Sequence, residues 1–188
     1  MITFDFAGGI GTSSRVLPAR EGGFTVGVLV QSNFGRTADL RFAGAPIGAA
    51  LVPHYRHIPK RGGTYGSIIT VVATDAPLSA HQLVRIAKRA ALGIGRTGSY
   101  AGHGSGEVIM AFSTGNTYPR TSSKQVLQVS LLSDEHIDPL FRAAIDATEE
   151  AILNALCMAG DQMGANNHLA PALPIDRVRD LLSRPVTG

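Results

Sequence analysis

Residues 66–78 read Gly-Ser-Ile-Ile-Thr-Val-Val-Ala-Thr-Asp-Ala-Pro-Leu, and this stretch governs the interpretation of the whole chain. The run of β-branched side chains predicts a buried strand over residues 67–74, and the Asp-Ala-Pro-Leu sequence after it predicts a turn. The strand is preceded by a polar loop over residues 53–66 that contains two prolines and three glycines. Ser67 therefore places a hydroxyl group at the junction between a glycine-rich loop and a buried strand.

The segments before this junction predict two further strands. Residues 24–32 are almost continuously apolar and predict a strand buried on both faces, whereas residues 40–42 predict an alternating strand. Residues 6–14 are rich in glycine and predict a loop. They lack the last glycine of a dinucleotide-binding fingerprint, because Ser14 stands in its place.

Helices and strands alternate after the junction. Ser79 is typical of a helix N-cap, and the apolar spacing predicts a helix to about Leu92, followed by a glycine-rich connection. Strands are predicted over residues 107–113 and 126–132. Asp138 and Pro139 predict the start of a second long helix, with a short helix from Asp176. Strands grouped between helices indicate α+β layers in a single domain of residues 1–188.

Composition excludes several classes of protein. The chain has 188 residues, 44% of them hydrophobic and 16% charged, with a mean hydropathy of +0.12, which is too apolar for a disordered protein. No apolar run reaches about 18 residues, so no membrane-spanning helix is expected. The single cysteine, Cys157, excludes an internal disulfide. The first residues do not resemble a signal peptide, which predicts a cytoplasmic protein.

Charge and histidine spacing give no sign of nucleic acid or metal. The net charge is +3, and basic residues are scattered except over residues 54–61, with neither a basic face interleaved with aromatic side chains nor a recognised nucleic-acid-binding motif. We therefore expect no nucleic-acid partner. His103 and Glu107 are four residues apart but lack a third ligand, so no metal and no cofactor are predicted.

The pair Gly66-Ser67 fits the junction at which a chain cuts itself. In an N-terminal-nucleophile hydrolase, the serine hydroxyl attacks the preceding carbonyl, and the freed α-amine later serves as the general base. Glycine before the serine leaves that carbonyl accessible. Taken alone, the same pair also fits an ordinary boundary between a loop and a strand.

Three other polar residues could take part in such chemistry. Ser105 and Glu107 are two residues apart, so in a strand they share one face, where a hydroxyl and a carboxylate can move a proton. The alternative is a serine at a strand start and a solvated glutamate. Asn33 could donate its amide to an oxyanion, or it could be an ordinary turn asparagine.

Together these segments resemble the L-aminopeptidase/D-esterase family, which includes the β-peptidyl aminopeptidases. The resemblance covers nearly the whole chain, with several motifs in the right order. The matching segments are residues 8–15 (GGIGTSSR), 25–33 (TVGVLVQSN), 66–78, 87–93 (AKRAALG), 96–99 (RTGS), 104–107 (GSGE), 111–114 (AFST) and 172–176 (ALPID).

The resemblance implies cleavage between Gly66 and Ser67 and assigns roles to the polar residues. Residues 1–66 would be the remnant of an α chain and residues 67–188 the β chain. Ser67 would be the nucleophile, Ser105 and Glu107 its catalytic partners, and Asn33 an oxyanion donor. We add the hypothesis that a backbone N–H near residues 105–106, that of Gly106, is the second donor.

The resemblance also implies substrates, assembly and a layered fold. Members remove the N-terminal residue from short peptides, amides or esters without a metal, and assemble as homo-oligomers of αβ units. Their fold is a sandwich of two sheets between helices. Family α chains are much longer than 66 residues, so the N-terminal part and some layers are expected to be missing here. The alternatives are an acyltransferase of the same fold and an uncleaved, inactive fragment.

Overall fold

A four-stranded sheet carries the Gly66-Ser67 junction in the computed structural model, which describes residues 1–56 and 66–183. The strands are β1 (Ile2–Thr3), β2 (Phe6–Ala7), β3 (Ile10–Val16), β4 (Thr25–Asn33), β5 (Gly66–Thr74), β6 (Ser105–Ser113), β7 (Gln162–Met163) and β8 (Leu169–Ala170). The helices are α1 (Gly48–Leu51), α2 (Ala80–Arg96), α3 (Asp138–Cys157) and α4 (Ile175–Leu182).

The central sheet has the order β3-β4-β5-β6. The first two pairs of strands are antiparallel, and β5 and β6 are parallel, connected by α2. Helices α2 and α3 pack on one face of this sheet. The core lies between them and consists of alternate strand residues facing small and branched helical residues. They include Val26, Val28, Val30, Ile68, Val72, Ile86, Ala90, Ala144, Ala151 and Ile152.

Helix α2 begins where its sequence predicts and ends later. The Ser79 hydroxyl accepts the Gln82 N–H, and the Gln82 side chain accepts the Ser79 N–H, which forms a complete capping box. The helix continues to Arg96, because Gly93 lies within it and faces α3 instead of forming a turn. A Cβ there would lie 2.5 Å from the carbonyl oxygen of Ile145 on α3. The glycine permits close contact between the helices rather than ending one of them.

The other face of the sheet is open in the described residues. Five of its large apolar side chains retain 40–55% of their exposure, namely Leu29, Ile69, Val108, Met110 and Phe112, and Ile10 and Val16 on β3 retain 66% and 73%. The predicted α+β class is confirmed. Of the four layers that the resemblance implied, residues 1–56 and 66–183 provide one sheet layer and one helix layer.

Two predicted features differ in the first part of the chain. The expected loop over residues 6–14 instead contains β2 and most of β3. Gly11 is required there for close packing on α3 and not for a turn, because a Cβ would lie 2.0 Å from the Ala151 carbonyl oxygen. The expected strand over residues 40–42 is wrong. Phe42 forms an isolated bridge with Ala45, and the intervening residues have positive φ and reverse the chain.

The predicted strand over residues 126–132 is also wrong in the described structure. A strand needs a neighbour for its N–H and C=O groups, and this segment pairs with none of the described strands. Asn116 instead holds Ser130 through both its amide oxygen and its amide nitrogen. The alternating side chains of the segment, such as Val129 and Leu131, are exposed as a result.

Cys157 is half-buried at the end of α3. Burial raises the pKa of its thiol, which disfavours a reactive thiolate.

Among the described residues, none of the helices has the length and apolar character to cross a membrane.

Candidate active site

Ser67 lies in a row of three residues at one end of the sheet, across strands β4, β5 and β6. It pairs with Asn33 of β4 on one side and with Gly106 of β6 on the other. Residues paired across neighbouring strands point to the same face, so Asn33, Ser67 and position 106 line the open face. A Cβ on Gly106 would lie 3.4 Å from the Ser67 hydroxyl oxygen. The Ser67 hydroxyl is therefore accessible beside a backbone that carries no side chain.

Gly66 lies too close to the end of β4 to carry a side chain. A Cβ on this residue would lie 2.1 Å from the carbonyl oxygen of Asn33 and 2.7 Å from the Cα of Phe34. Both contacts are with backbone, which cannot rotate out of the way. Glycine at the residue before Ser67 is thus a steric requirement of the sheet, independent of the chemistry that the sequence indicated.

Ser105 and Glu107 interact directly, as their spacing predicts. The Ser105 hydroxyl donates a 2.7 Å hydrogen bond to a Glu107 carboxylate oxygen. Ser105 pairs with Gly66, and Glu107 pairs with Ile68. Both side chains therefore point to the face opposite the Ser67 hydroxyl and are only partly exposed. The structure brings this pair beside the Gly66-Ser67 peptide, not into the row on the open face.

The side chain of Asn33 is held by a group that the sequence analysis missed. Its Oδ1 atom accepts a 3.0 Å hydrogen bond from the backbone N–H of Ile2. A backbone donor has no side-chain signature, so no residue pattern could have identified it. The contact fixes which end of the amide is the acceptor.

Comparisons with known proteins identify the family of the chain. The profile of peptidase family S58 matches residues 1–170. The chain belongs to peptidase family S58. It is 42% identical over 197 residues to the β-peptidyl aminopeptidase BapA of Sphingosinicella microcystinivorans, a match covering 98% of this chain and 49% of that protein.

Solved structures of similar proteins share the fold. A Burkholderia sp. β-aminopeptidase superposes with a TM-score of 0.86 at 41% identity, covering 98% of this chain and 52% of that one. The L-aminopeptidase D-Ala-esterase/amidase of Ochrobactrum anthropi superposes with a TM-score of 0.85 at 42% identity, covering 97% and 49%. The latter is described as a prototype for the serine aminopeptidases and a variant of the Ntn hydrolase fold.

These matches confirm the predicted family and fold class. This S58 chain spans about half the length of the relatives it matches. The roles of Ser67, Ser105, Glu107, Asn33 and Gly106 stay predictions, because the comparisons concern whole chains rather than these residues.

A charged cleft of about 660 Å³ lies elsewhere on this S58 chain. Arg15 pairs with Glu150 there, and hydrogen bonds from Ser13 and Arg15 lower the pKa of the Glu150 carboxyl. Arg96 bonds Asp146 at 2.6 Å, which raises the pKa of the guanidinium. Arg15 is opposite Val26, roughly 20 Å along β4 from Asn33 at about 3.3 Å per residue. The cleft is therefore separate from the Ser67 row.

Metal-binding residues do not cluster in the part of the chain that the structure describes. No three His, Cys, Asp or Glu side chains there lie close enough together to hold an ion. His103 does not join Glu107 in such a group, and Glu107 bonds Ser105 instead. The basic run at residues 54–61 lies largely outside the described residues, which include only its first three positions.

Proposed function

We propose that this S58 chain is a self-processing serine aminopeptidase that cuts itself between Gly66 and Ser67. The observation that carries the proposal is the row of Asn33, Ser67 and Gly106 at the start of β5, with an obligatory glycine preceding the serine. The names of the relatives, a β-peptidyl aminopeptidase and an L-aminopeptidase D-Ala-esterase/amidase, support the same activity.

Processing begins with attack of the Ser67 hydroxyl oxygen on the Gly66 carbonyl carbon. The C–O bond forms, the C–N bond breaks, and the hydroxyl proton passes to the departing nitrogen, so the peptide becomes an ester. Water then hydrolyses the ester, leaving a carboxylate on Gly66 and an α-amine on Ser67. The ordinary pKa of such an amine, about 7.7–8.0, allows it to accept a proton at neutral pH.

The same hydroxyl then attacks the carbonyl carbon of a substrate's N-terminal residue. The Ser67 amine takes the hydroxyl proton and returns it to the leaving amine, and water releases the acyl group from the enzyme. The Asn33 Nδ2 and the Gly106 N–H stabilise the oxyanion, since both belong to the residues that flank Ser67. Because Ser105 pairs with Gly66, the Ser105-Glu107 pair lies beside the new amine and exchanges protons with it.

The proposed substrates are short peptides, amides and esters with a free N-terminal amine. A suitable test incubates the purified chain with the p-nitroanilides of β-alanine, L-alanine and D-alanine. Release of p-nitroaniline that is lost on N-acetylation supports an aminopeptidase. Absence of release from all of them contradicts the proposed activity. Transfer of the acyl group to an added amine in preference to water would instead identify an acyltransferase.

Replacing Glu107 by glutamine is expected to slow turnover by about 10²-fold or more, the usual contribution of a positioned proton-transfer group. The amide keeps the size of the side chain but loses the carboxylate that accepts from Ser105. Steady-state kinetics on β-alanine p-nitroanilide measures the effect. Glu135→Gln, at an exposed position, is the matched control and should keep full activity. Equal rates for both variants would show that Glu107 takes no part in catalysis.

We also propose that the chain self-associates through its open sheet face. Exposed apolar patches of this kind mark association surfaces. Met110→Lys places a charge at the centre of the patch and should shift the chain to smaller species in sedimentation velocity. Met158 is 86% exposed at the end of α3, outside the sheet, so Met158→Lys is the control. Identical sedimentation of the two variants would contradict association through the sheet.

A further inference from the structure

The charged cleft lies between α3, the C-terminal end of α2 and β3. Asp146, Glu149 and Glu150 are three and four residues apart, so they form one acidic stripe along α3. The turn that begins at Arg41 forms another wall. The backbone N–H of Arg41 donates to the carbonyl oxygen of Thr97 at 2.8 Å, which fixes this turn against the end of α2. The walls of the cleft therefore support one another.

The charges that line the cleft are not paired one to one. Arg15 pairs with Glu150. Arg96 serves two carboxylates, because its Nη1 atom lies 2.6 Å from an Asp146 oxygen and 3.4 Å from a Glu149 oxygen. Among the described residues, this longer contact is the one cation contact of Glu149, whose side chain is only 17% exposed. The wall formed by α2 and α3 therefore carries one negative charge in excess.

Arg41 carries the opposite excess on the turn. Its Nη2 atom donates to the carbonyl oxygen of Gly44 at 2.8 Å, and no carboxylate in residues 1–56 and 66–183 lies within ion-pair distance of its guanidinium. A guanidinium has five N–H donors in a planar fork, whose shape matches a carboxylate. Most of these donors are therefore available to an acceptor that enters the cleft.

Gly95 leaves space in the cleft where a side chain would otherwise project. It is the second-last residue of α2, and glycine is one of the poorest helix formers. Its φ is not left-handed, and a Cβ there would meet no atom within 4 Å. Neither backbone conformation nor close packing therefore requires glycine at this position, in contrast to Gly93 two residues earlier. The space beside Gly95 belongs to the cleft.

We infer that the charged cleft binds a small zwitterion, a molecule with both an ammonium and a carboxylate group, such as a free amino acid or a short peptide. The ammonium group donates to Glu149, the carboxylate accepts from the fork of Arg41, and Gly95 leaves room for the body of the ligand. A ligand of one charge would match only one of the two walls. The volume of about 660 Å³ is typical of small-molecule sites.

This site is separate from the Ser67 row and does not depend on its chemistry. NMR titration of the full-length Ser67→Ala chain tests it, because that variant should not consume a peptide probe. The probes are L-alanine, β-alanine and L-alanyl-L-alanine, with acetate and ethylammonium as probes of a single charge at the same ionic strength. The amide signals of Arg41, Gly44 and Gly95 should shift and saturate with a zwitterion and should not saturate with either single-charge probe.

Two substitutions test the charged groups separately. Arg41→Gln and Glu149→Gln should each raise the dissociation constant by about tenfold or more, because each removes a charge-assisted hydrogen bond to the ligand. Arg120→Gln is the matched control, since Arg120 is exposed in the connection after β6 and does not line the cleft. Equal affinity of all three variants would overturn the inference.

A third substitution tests the space beside Gly95. Gly95→Leu fills the cleft and should abolish binding, whereas Ala91→Leu adds a leucine at an exposed position one turn earlier on α2, outside the cleft, and should bind normally. Leucine is a better helix former than glycine, so thermal unfolding of Gly95→Leu should occur at no lower temperature than that of the parent chain. Undiminished binding by Gly95→Leu would contradict the site.

The pattern of the titration decides between the ligand classes and the ways in which the inference fails. Saturation by the free amino acids alone identifies an amino-acid site, and saturation by the dipeptide alone identifies a peptide site. An equal response to acetate or ethylammonium would show only an ordinary charged surface. Shifts confined to the Ser67 row would place the zwitterion at the proposed active site instead, and the absence of any saturable shift would also overturn the inference.

Discussion

Replacing Ser67 by alanine is expected to leave a single 19.7 kDa chain with no turnover, because the substitution removes the only atom proposed to attack both carbonyl groups. The loss of kcat should be at least about 10⁴-fold, as for other nucleophilic serines. Denaturing mass spectrometry and p-nitroaniline release measure the two effects. Ser67 is exposed, so loss of its hydroxyl oxygen leaves no buried cavity and the fold should be unaffected.

Ser14→Ala is the matched control for this substitution. Ser14 is another exposed serine on a strand of the same sheet, and its loss should leave cleavage and turnover unchanged. Ser67→Thr keeps a hydroxyl and should keep some cleavage. Fragments ending at residue 66 in Ser67→Ala would show that another group cuts the chain.

Replacing Gly66 by alanine is expected to block processing and destabilise the sheet. The new Cβ would lie 2.1 Å from the Asn33 carbonyl oxygen, so the end of β5 must move away from β4. Overpacking of this kind costs about 1–3 kcal/mol in the free energy of unfolding. The same shift separates Ser67 from Asn33, so cleavage should slow as well.

Two measurements separate these effects of Gly66→Ala. Thermal unfolding is measured in a Ser67→Ala background, where every variant is uncut, and cleavage is followed over time in the chain with Ser67. Gly27→Ala, on β4, is the control because a Cβ there meets no atom within 4 Å. Equal stability and equal cleavage for the two glycine variants would contradict the close approach at residue 66.

The sequence predicts features that depend on local patterns and misses those that depend on strand pairing. The strand at Ser67, the N-cap at Ser79 and the start of the long helix at Asp138 follow from spacing and residue type alone. The segment at residues 126–132 has the same local pattern, but none of the described strands pairs with it, so the pattern alone does not make it a strand.

The candidate site shows the same limit. Period-two spacing correctly placed Ser105 and Glu107 on one face. Their position relative to Ser67 depends on the parallel register between β5 and β6, which pairs Ser67 with Gly106 and turns the pair to the other face. The Ile2 contact to Asn33 joins a backbone atom to a side chain 31 positions away, which no sequence pattern encodes.

The proposed function requires that Ser67 cuts the bond that precedes it. Denaturing mass spectrometry of the freshly purified wild-type chain tests it most directly. We expect two fragments, residues 1–66 and residues 67–188, with a free amine on Ser67 and a summed mass equal to the intact chain plus one water. A single intact chain of 19.7 kDa that persists on incubation would contradict self-processing at Ser67.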